Sequence, residues 1–384
     1  MDNKIKKLTK LSAKLIIIFV VAVGAAIFAE HYFFPRLSAT KFFSKYKLFQ
    51  KAAENVTIIN KTEQVTIKEE DSISTIAEKA SPSIVNIVSV ANKASSGKNW
   101  PISKGGRGII VTSDGLIVTY RSAIIENDAS YRVFISDGSG YDAVLFGIDE
   151  FSNLAYLKIN ASNLTTISFA NSSDFRTGKK LIAIGNSEAE YQNQFTAGLL
   201  SNVNKIFNIA GKTLSSSEKT EGVWETDFIT SDSFLGGPVI NYNGELAGIT
   251  GMELIDNQKK FFILPSNLVK ESVELAIKNE LTSRPILGIY YIPITKKYAF
   301  INNLKRDRGA LIYSASGDQG LAIISNSPAE KAGLKINDII TAVNNQEVNL
   351  DNPLSNLLSQ YKKGDEIELL VVREGKEIKI KVRL

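Results

Sequence analysis

From Gly108 to about Leu254 the chain reads as short apolar runs punctuated by turn residues, and this alternation restricts the fold more than any other feature. The runs are GIIVT and LIVTY around SDG, YRVFI and AVLFGI around SDGSG, then NLAYLKI, KLIAIG, TAGLLSNV and VWETDFI, and finally GPVI and ELAGIT around NYNG. The runs are strand-length and rich in Val, Ile, Tyr and Phe, which suit a pleated, half-buried surface. The Gly, Asn and Asp between them supply the backbone conformations that tight turns demand. Many short strands at this spacing predict an antiparallel sandwich or barrel, and so a mainly β protein. With 44% apolar and 22% charged residues in 384, the chain can bury a substantial core.

The flanks add helices. Upstream, ISTIAEKASPSIVNIVSV predicts a short helix, a stop at Pro82 and a strand from Ile84 to Val90, followed by the loop NKASSGKNWPISKGG. Downstream, SNLVKESVELAIKNEL, Ser266 to Leu281, carries apolar positions at helical spacing with Ser266 as its cap. SRPILG then opens a separate α+β unit over residues 284–384. It reads as strands in ILGIYYIPI and GLAIISN, a short helix in SPAEKAGL and a strand and turn in INDIITAVNNQEV. An amphipathic helix in NPLSNLLSQY and a closing hairpin with its turn at Glu374-Gly375 complete it. The β-rich unit is assigned to residues 72–283, and both units are of ordinary domain size.

The net charge of +5 is unevenly placed: up to Lys51 there are ten Lys/Arg against Asp2 and Glu30, and beyond it acids slightly outnumber bases. The basic balance therefore belongs to the N-terminal segment, which argues against a nucleic-acid groove on either folded unit. Residues 1–34 combine a Lys-rich start with an uninterrupted apolar run from Leu15 to Ala29. A bilayer core needs about 20 helical residues; Lys14 can snorkel at one edge, and Tyr32, Phe33 and Phe34 can sit at the other. The segment reads as a transmembrane signal anchor with the N-terminus in the cytoplasm and the bulk of the chain outside. The competing reading is a signal peptide cut near Gly24 to Ala26. Residues 35–71 read as a spacer, in which KFFSKYKLFQKAAENV forms a short amphipathic helix. The chain has no Cys and one His, His31, which lies beside the apolar run. Thiol catalysis and Cys-based metal sites are excluded.

Several stretches resemble the HtrA/Deg family, trypsin-like serine proteases of the cell envelope with a C-terminal PDZ domain: SPSIVNIVSV, GRGIIVTSDGLIVT, DEFSNLAYLKI, TGKKLIAIGN, GGPVINYNGELAGIT and FFILPSNLVK, then RPILGI and SPAEKAGLKINDIITAVN. Their order and spacing over residues 72–384 carry the resemblance. It implies two six-stranded β-barrels followed by a PDZ domain, with no cofactor. It also identifies the positions of the family's catalytic triad. The His position, in IVTYRSAI, is Ser122; the Asp position, in SNLAYLKI, is Asn153; the nucleophile position, in SFLGGP, is Leu235.

These substitutions remove the chemistry. A serine hydroxyl attacks only when a positioned base takes its proton, and an imidazole held by a carboxylate is that base. Ser122 titrates far from neutrality, Asn153 carries no charge and Leu235 has no attacking atom. Ser233 and Phe234 stand in the former oxyanion region, where the family has Gly at the first position; both disfavour the tight turn that gathers N–H donors. A Ser233–lysine pair using Lys259 or Lys260 is the one remaining route, and it requires a desolvated lysine.

The last unit keeps its equipment. In the family, the loop resembling ILGI holds a peptide's terminal carboxylate on successive backbone N–H groups, and the peptide adds as a strand beside it. The resemblance assigns peptide binding to Ile286, Leu287, Gly288 and Ile289. Gly288 would allow close approach, and the three apolar residues would line a pocket for the last side chain. The expectation is a membrane-anchored, proteolytically inactive HtrA-like protein that binds peptides or unfolded C-termini in envelope quality control. It would assemble with its own kind or with HtrA-like subunits. The alternatives are an active endopeptidase with a non-standard site and a purely structural envelope anchor.

Overall fold

The structure is a computed structural model that describes residues 2–29, 69–92, 102–186, 193–205, 214–229, 231–255, 257–314 and 321–384. His31, the spacer up to residue 68 with its amphipathic helix, and residues 93–101 of the upstream loop lie outside the described residues. The chain divides into two units, residues 1–66 and 67–384. The first contains helix α1 (Asp2–Phe28), whose apolar side chains from Leu15 to Val21 are exposed. Among the described residues no helix is long and apolar enough to cross a membrane.

In the second unit, helix α2 (Glu69–Ala80) leads through a turn at Pro82 into the first barrel. Its strands are β1 (Ile84–Ala91), β2 (Ser103–Ile110), β3 (Leu116–Tyr120), β4 (Ala129–Phe134), β5 (Gly140–Asp149) and β6 (Leu154–Ile159), closed in the order β1-β2-β3-β6-β5-β4. Ile87, Ile110, Ile117, Val133 and Leu157 fill its interior. The second barrel uses β7 (Lys180–Asn186), β8 (Asn193–Lys205), β10 (Val223–Thr226), β11 (Pro238–Ile240), β12 (Leu246–Ile255) and β13 (Gln258–Pro265), closed as β10-β13-β12-β11-β7-β8. Leu181, Leu200, Trp224, Val239 and Ile263 fill it. Closure leaves each barrel without a free sheet edge. A third cluster, with Val118, Tyr120 and Leu154 from one barrel and Ile184, Ile249 and Phe262 from the other, joins the two.

Helix α3 (Ser266–Ile277) follows, shorter than its apolar periodicity suggests. Ser266 does not cap it: its hydroxyl donates to the Ala170 carbonyl at 2.6 Å, leaving Pro265 at the cap position. The last domain contains β14 (Tyr290–Pro293), α4 (Lys296–Ile301), β15 (Ala310–Ile312), α5 (Pro328–Lys331), β16 (Ile339–Val343), β17 (Gln346–Glu347), α6 (Leu354–Leu358), β18 (Glu366–Arg373) and β19 (Lys376–Arg383). The described part of GLAIISN, residues 321–326, is not a strand. It makes one isolated bridge, Ile323 to Ile289, before the backbone turns through Asn326 at φ +62°. The sheet runs β19-β18-β16-β15-β14 and ends on a strand the sequence does not announce, β9 (Ser215–Ser216), contributed by the segment between β8 and β10.

The last domain is fastened at its first residue. Arg284 donates to the buried Asp149 carboxylate at 3.2 and 2.9 Å and to Glu271 of α3 at 2.7 Å, and it lies over the Phe151 ring at 4.5 Å. Ser152 and Ser272 also donate to Asp149, at 2.9 and 2.7 Å. Burial alone would raise this carboxyl's pKa, but the Arg284 charge and these hydrogen bonds hold it below its usual value.

Candidate functional site

Three turns meet between the barrels. β3 ends in a single 3₁₀ turn, Arg121–Ala123, which carries Ser122. The β5–β6 turn carries Asn153 at φ +56°, a left-handed conformation that Asn tolerates well. The third turn, Asp232–Phe234, delivers Leu235 and then Gly236 at φ +73°. The Arg121 N–H donates to the Asn153 carbonyl at 2.8 Å, and the Arg107 N–H donates to the Leu235 carbonyl at 3.2 Å. A Cβ at Gly236 would lie 3.1 Å from the Ala123 Cβ and collide with the Thr119 hydroxyl, so only glycine passes there. The neighbours of all three sequence-predicted positions are thus brought together.

Their side chains have no nucleophile–base–acid arrangement. The Ser122 hydroxyl is buried and has no hydrogen-bond partner among the described residues. Asn153 is a strut: its amide donates to Glu253 at 3.2 Å and accepts from Lys219 at 3.1 Å. Glu253 also accepts from the Tyr120 hydroxyl at 2.6 Å. Burial raises the Glu253 carboxyl above its usual value, and burial with the Glu253 charge raises the Tyr120 phenol well above its own. Arg121 closes the rim on Glu126 at 2.6 Å and Glu150 at 2.7 Å. Leu235 is 4% exposed and packs in the cluster between the barrels with Tyr120, Ala123 and Leu154.

An oxyanion hole in this fold uses the N–H at the nucleophile position and the N–H two residues before it. Here the Leu235 N–H is engaged by the Asp232 carbonyl at 3.0 Å, and the adjacent Phe234 N–H turns back to Ser231 at 3.3 Å. Phe234 is buried against Gly185 in the second barrel. The Ser233 hydroxyl pairs with that of Ser231 at 2.6 Å on the surface. Lys259 is ion-paired with Asp232 and half exposed. Lys104 feels the charges of Asp232, Glu126 and Lys259; burial leaves its ammonium pKa below the usual value, and it makes no described hydrogen bond to Ser233.

Sequence reasoning missed several polar groups here. Arg107 is buried beneath the site, donating to the Gly185 carbonyl and to Asn193 at 2.8 Å, and burial pulls its guanidinium pKa down to about 10. Lys219 comes from a segment outside the recognised motifs, and Glu253 lies three residues past the end of GGPVINYNGELAGIT. No group of three or more His, Cys, Asp or Glu among the described residues could hold a metal.

In the last domain Gly288 has φ +84°, and a Cβ there would collide with Ser327, so its smallness serves domain packing. Leu287 and Ile289 are buried in the core with Tyr291 and Ile340. Ile286 is half exposed beside Ile324 and Pro328. The backbone N–H groups of Gly288 and Ile289 are engaged by Glu218 at 2.8 Å and by the Ser217 hydroxyl at 3.0 Å.

The family description of trypsin-like peptidase domains matches residues 106–249, and that of PDZ domains matches residues 285–384. A serine protease Do-like HtrA of Bacillus subtilis is 30% identical over 339 residues, covering 83% of this chain and 74% of the relative. A probable periplasmic serine endoprotease DegP-like of Chlamydia muridarum is 32% identical over 281 residues, covering 72% of this chain and 53% of the relative. The chain therefore spans about half the length of this DegP-like relative. Among solved structures, an HtrA-type protease AlgW with tripeptide superposes with a TM-score of 0.63 at 22% identity, covering 81% of this chain and 96% of that one. The same protease with decapeptide gives 0.61 at 22% identity.

Proposed function

Because the chain belongs to the HtrA family of trypsin-like proteases with a PDZ domain, we propose that it is a member without proteolytic activity, working in envelope protein quality control by binding peptides or unfolded C-termini through that domain. One observation supports the reading: Leu235, at the position that the resemblance gives to the nucleophile, packs into the interbarrel core with its own N–H bonded to the Asp232 carbonyl. No imidazole is available either, since the single His precedes the folded domains. A site with neither nucleophile nor base loses nearly all of the triad's contribution to the rate. The N-terminal apolar run anchors the protein as a single span, with the folded domains outside the cytoplasm. Assembly with HtrA-like subunits is part of the same reading.

Two measurements test it. A fluorophosphonate probe should leave the ectodomain unlabelled, and a covalent serine adduct would instead favour catalysis. A pool of randomised decapeptides with free C-termini should show selective binding that disappears on C-terminal amidation; indifference to both would favour a structural anchor.

A further inference from the structure

The PDZ groove is not empty. Ser215 and Ser216 pair antiparallel with Tyr291 and Tyr290, occupying the β14 edge on which an added peptide strand would lie. The segment runs toward the ILGI loop, as a peptide presenting its C-terminus there would run. Ser217 donates its N–H to the Ile289 carbonyl at 3.1 Å, and its hydroxyl accepts from the Ile289 N–H at 3.0 Å. One residue on, the Glu218 carboxylate accepts from the Gly288 N–H at 2.8 Å. The Ser216 and Ser217 hydroxyls steady that carboxylate at 2.8 and 2.6 Å. A side-chain carboxylate thus stands where the sequence assigns the carboxylate of a ligand.

The far side is closed as well. Asn356 of α6 accepts from the Thr220 hydroxyl at 3.1 Å and the Glu221 N–H at 3.2 Å, and donates to the Glu221 carbonyl at 3.0 Å. The buried Glu221 carboxylate accepts from the Tyr291 hydroxyl at 2.6 Å and from Ser215. The segment also reaches back to the degenerate triad. Lys219 is bonded to Asn153, and the Thr220 N–H to the Phe151 carbonyl at 2.9 Å.

We propose that residues 215–221, which belong to the protease-homology region, are a resident ligand of the PDZ groove, with Glu218 imitating a peptide C-terminus. An external peptide must displace them, and in doing so it draws Lys219 off Asn153. The inference rests on the peptide-binding reading above and adds its regulation. The groove selects extended segments with small hydroxyl side chains ahead of a carboxylate, because Ser215, Ser216 and Ser217 are all nearly buried there.

The test is fluorescence-polarisation titration of the full-length chain with the labelled randomised decapeptide pool. Glu218→Ala should bind roughly ten-fold tighter than the parent, the change expected when the competitor loses one charge-assisted hydrogen bond. A second variant guards against misfolding. The chain is free of Cys, so Ser216→Cys with Tyr290→Cys can be cross-linked across the paired strands. The oxidised form should bind no peptide, and reductant should restore binding. If parent and Glu218→Ala bind equally, or the cross-linked form still binds, the resident ligand is refuted while peptide binding stands. If no form binds the pool, peptide binding fails and this inference fails with it.

Discussion

Replacing Leu235 with Ser puts a hydroxyl at the position that the family resemblance gives to the nucleophile, and the structure predicts that it damages the protein instead. Leu235 is 4% exposed and contacts side chains of both barrels. Returning a leucine side chain to water costs about 1.5–3 kcal/mol, and Leu-to-small replacements in close-packed cores cost about 2–5 kcal/mol once the residual cavity is included. A loss of about 3 kcal/mol is the working value. For a domain of this size each kcal/mol shifts the midpoint by about 2–4 °C, so Leu235→Ser should melt roughly 6–12 °C below the parent. Activity should not appear, because Ser122 and Asn153 still supply no base and the N–H at position 235 still faces Asp232. Calorimetry on the intact chain reads the first expectation, and fluorophosphonate labelling with an unfolded polypeptide substrate reads the second. An unchanged midpoint would mean that Leu235 does not fill the interbarrel cluster. Labelling with turnover would mean that the assignment of the triad positions is mistaken.

Other perturbations separate the remaining contacts. Asp149→Asn leaves the nearly buried Arg284 with only the half-exposed Glu271 as charge partner and should destabilise the protein by up to about 3–5 kcal/mol, measured by urea unfolding. Asp149 has a depressed folded-state pKa, so its stabilisation is present above the unfolded value of about 3.9 and is lost as pH falls through the lower folded value. Acid titration of stability should show that loss in the parent and not in Asp149→Asn. Glu221 has the opposite sign: burial raises its carboxyl, so stability should decline as pH climbs from about 4.3 through the folded value, and Glu221→Gln should flatten that decline in a pH series of melting curves. Gly288→Ala forces a side chain into a left-handed backbone against Ser327 and should lower the midpoint of the last domain, followed by calorimetry.

The two barrels are legible in the sequence because strands with one buried face leave an alternating trace, as YRVFI does, and strands buried on both faces leave a short apolar run, as LIVTY does. The neighbours of the positions that the resemblance gives to the triad, such as Thr119, Gly236 and Gly237, are fixed by close backbone packing whatever the chemistry. What the sequence hides is held by distant partners. Strand β9 is two serines with no apolar pattern, a strand only because the β14 edge accepts it. Asn153 reads as a lost carboxylate, whereas its strut between Glu253 and Lys219 joins three segments remote along the chain. Leu287 and Ile289 look like pocket residues in a row with Ile286. Leu287 and Ile289 enter the core and Ile286 does not, across a backbone that turns at Gly288 (φ +84°). GLAIISN has strand composition but lacks a partner edge beyond one bridge.

Phe151 has two duties that meet in one residue. Its ring is the plate on which the Arg284 guanidinium rests at the entry to the last domain, and its carbonyl is the hook for Thr220. A swivel of that domain about Arg284 therefore tugs the hook, and freeing the hook slackens the swivel. Orientation and occupancy are geared to each other here without any long relay between them.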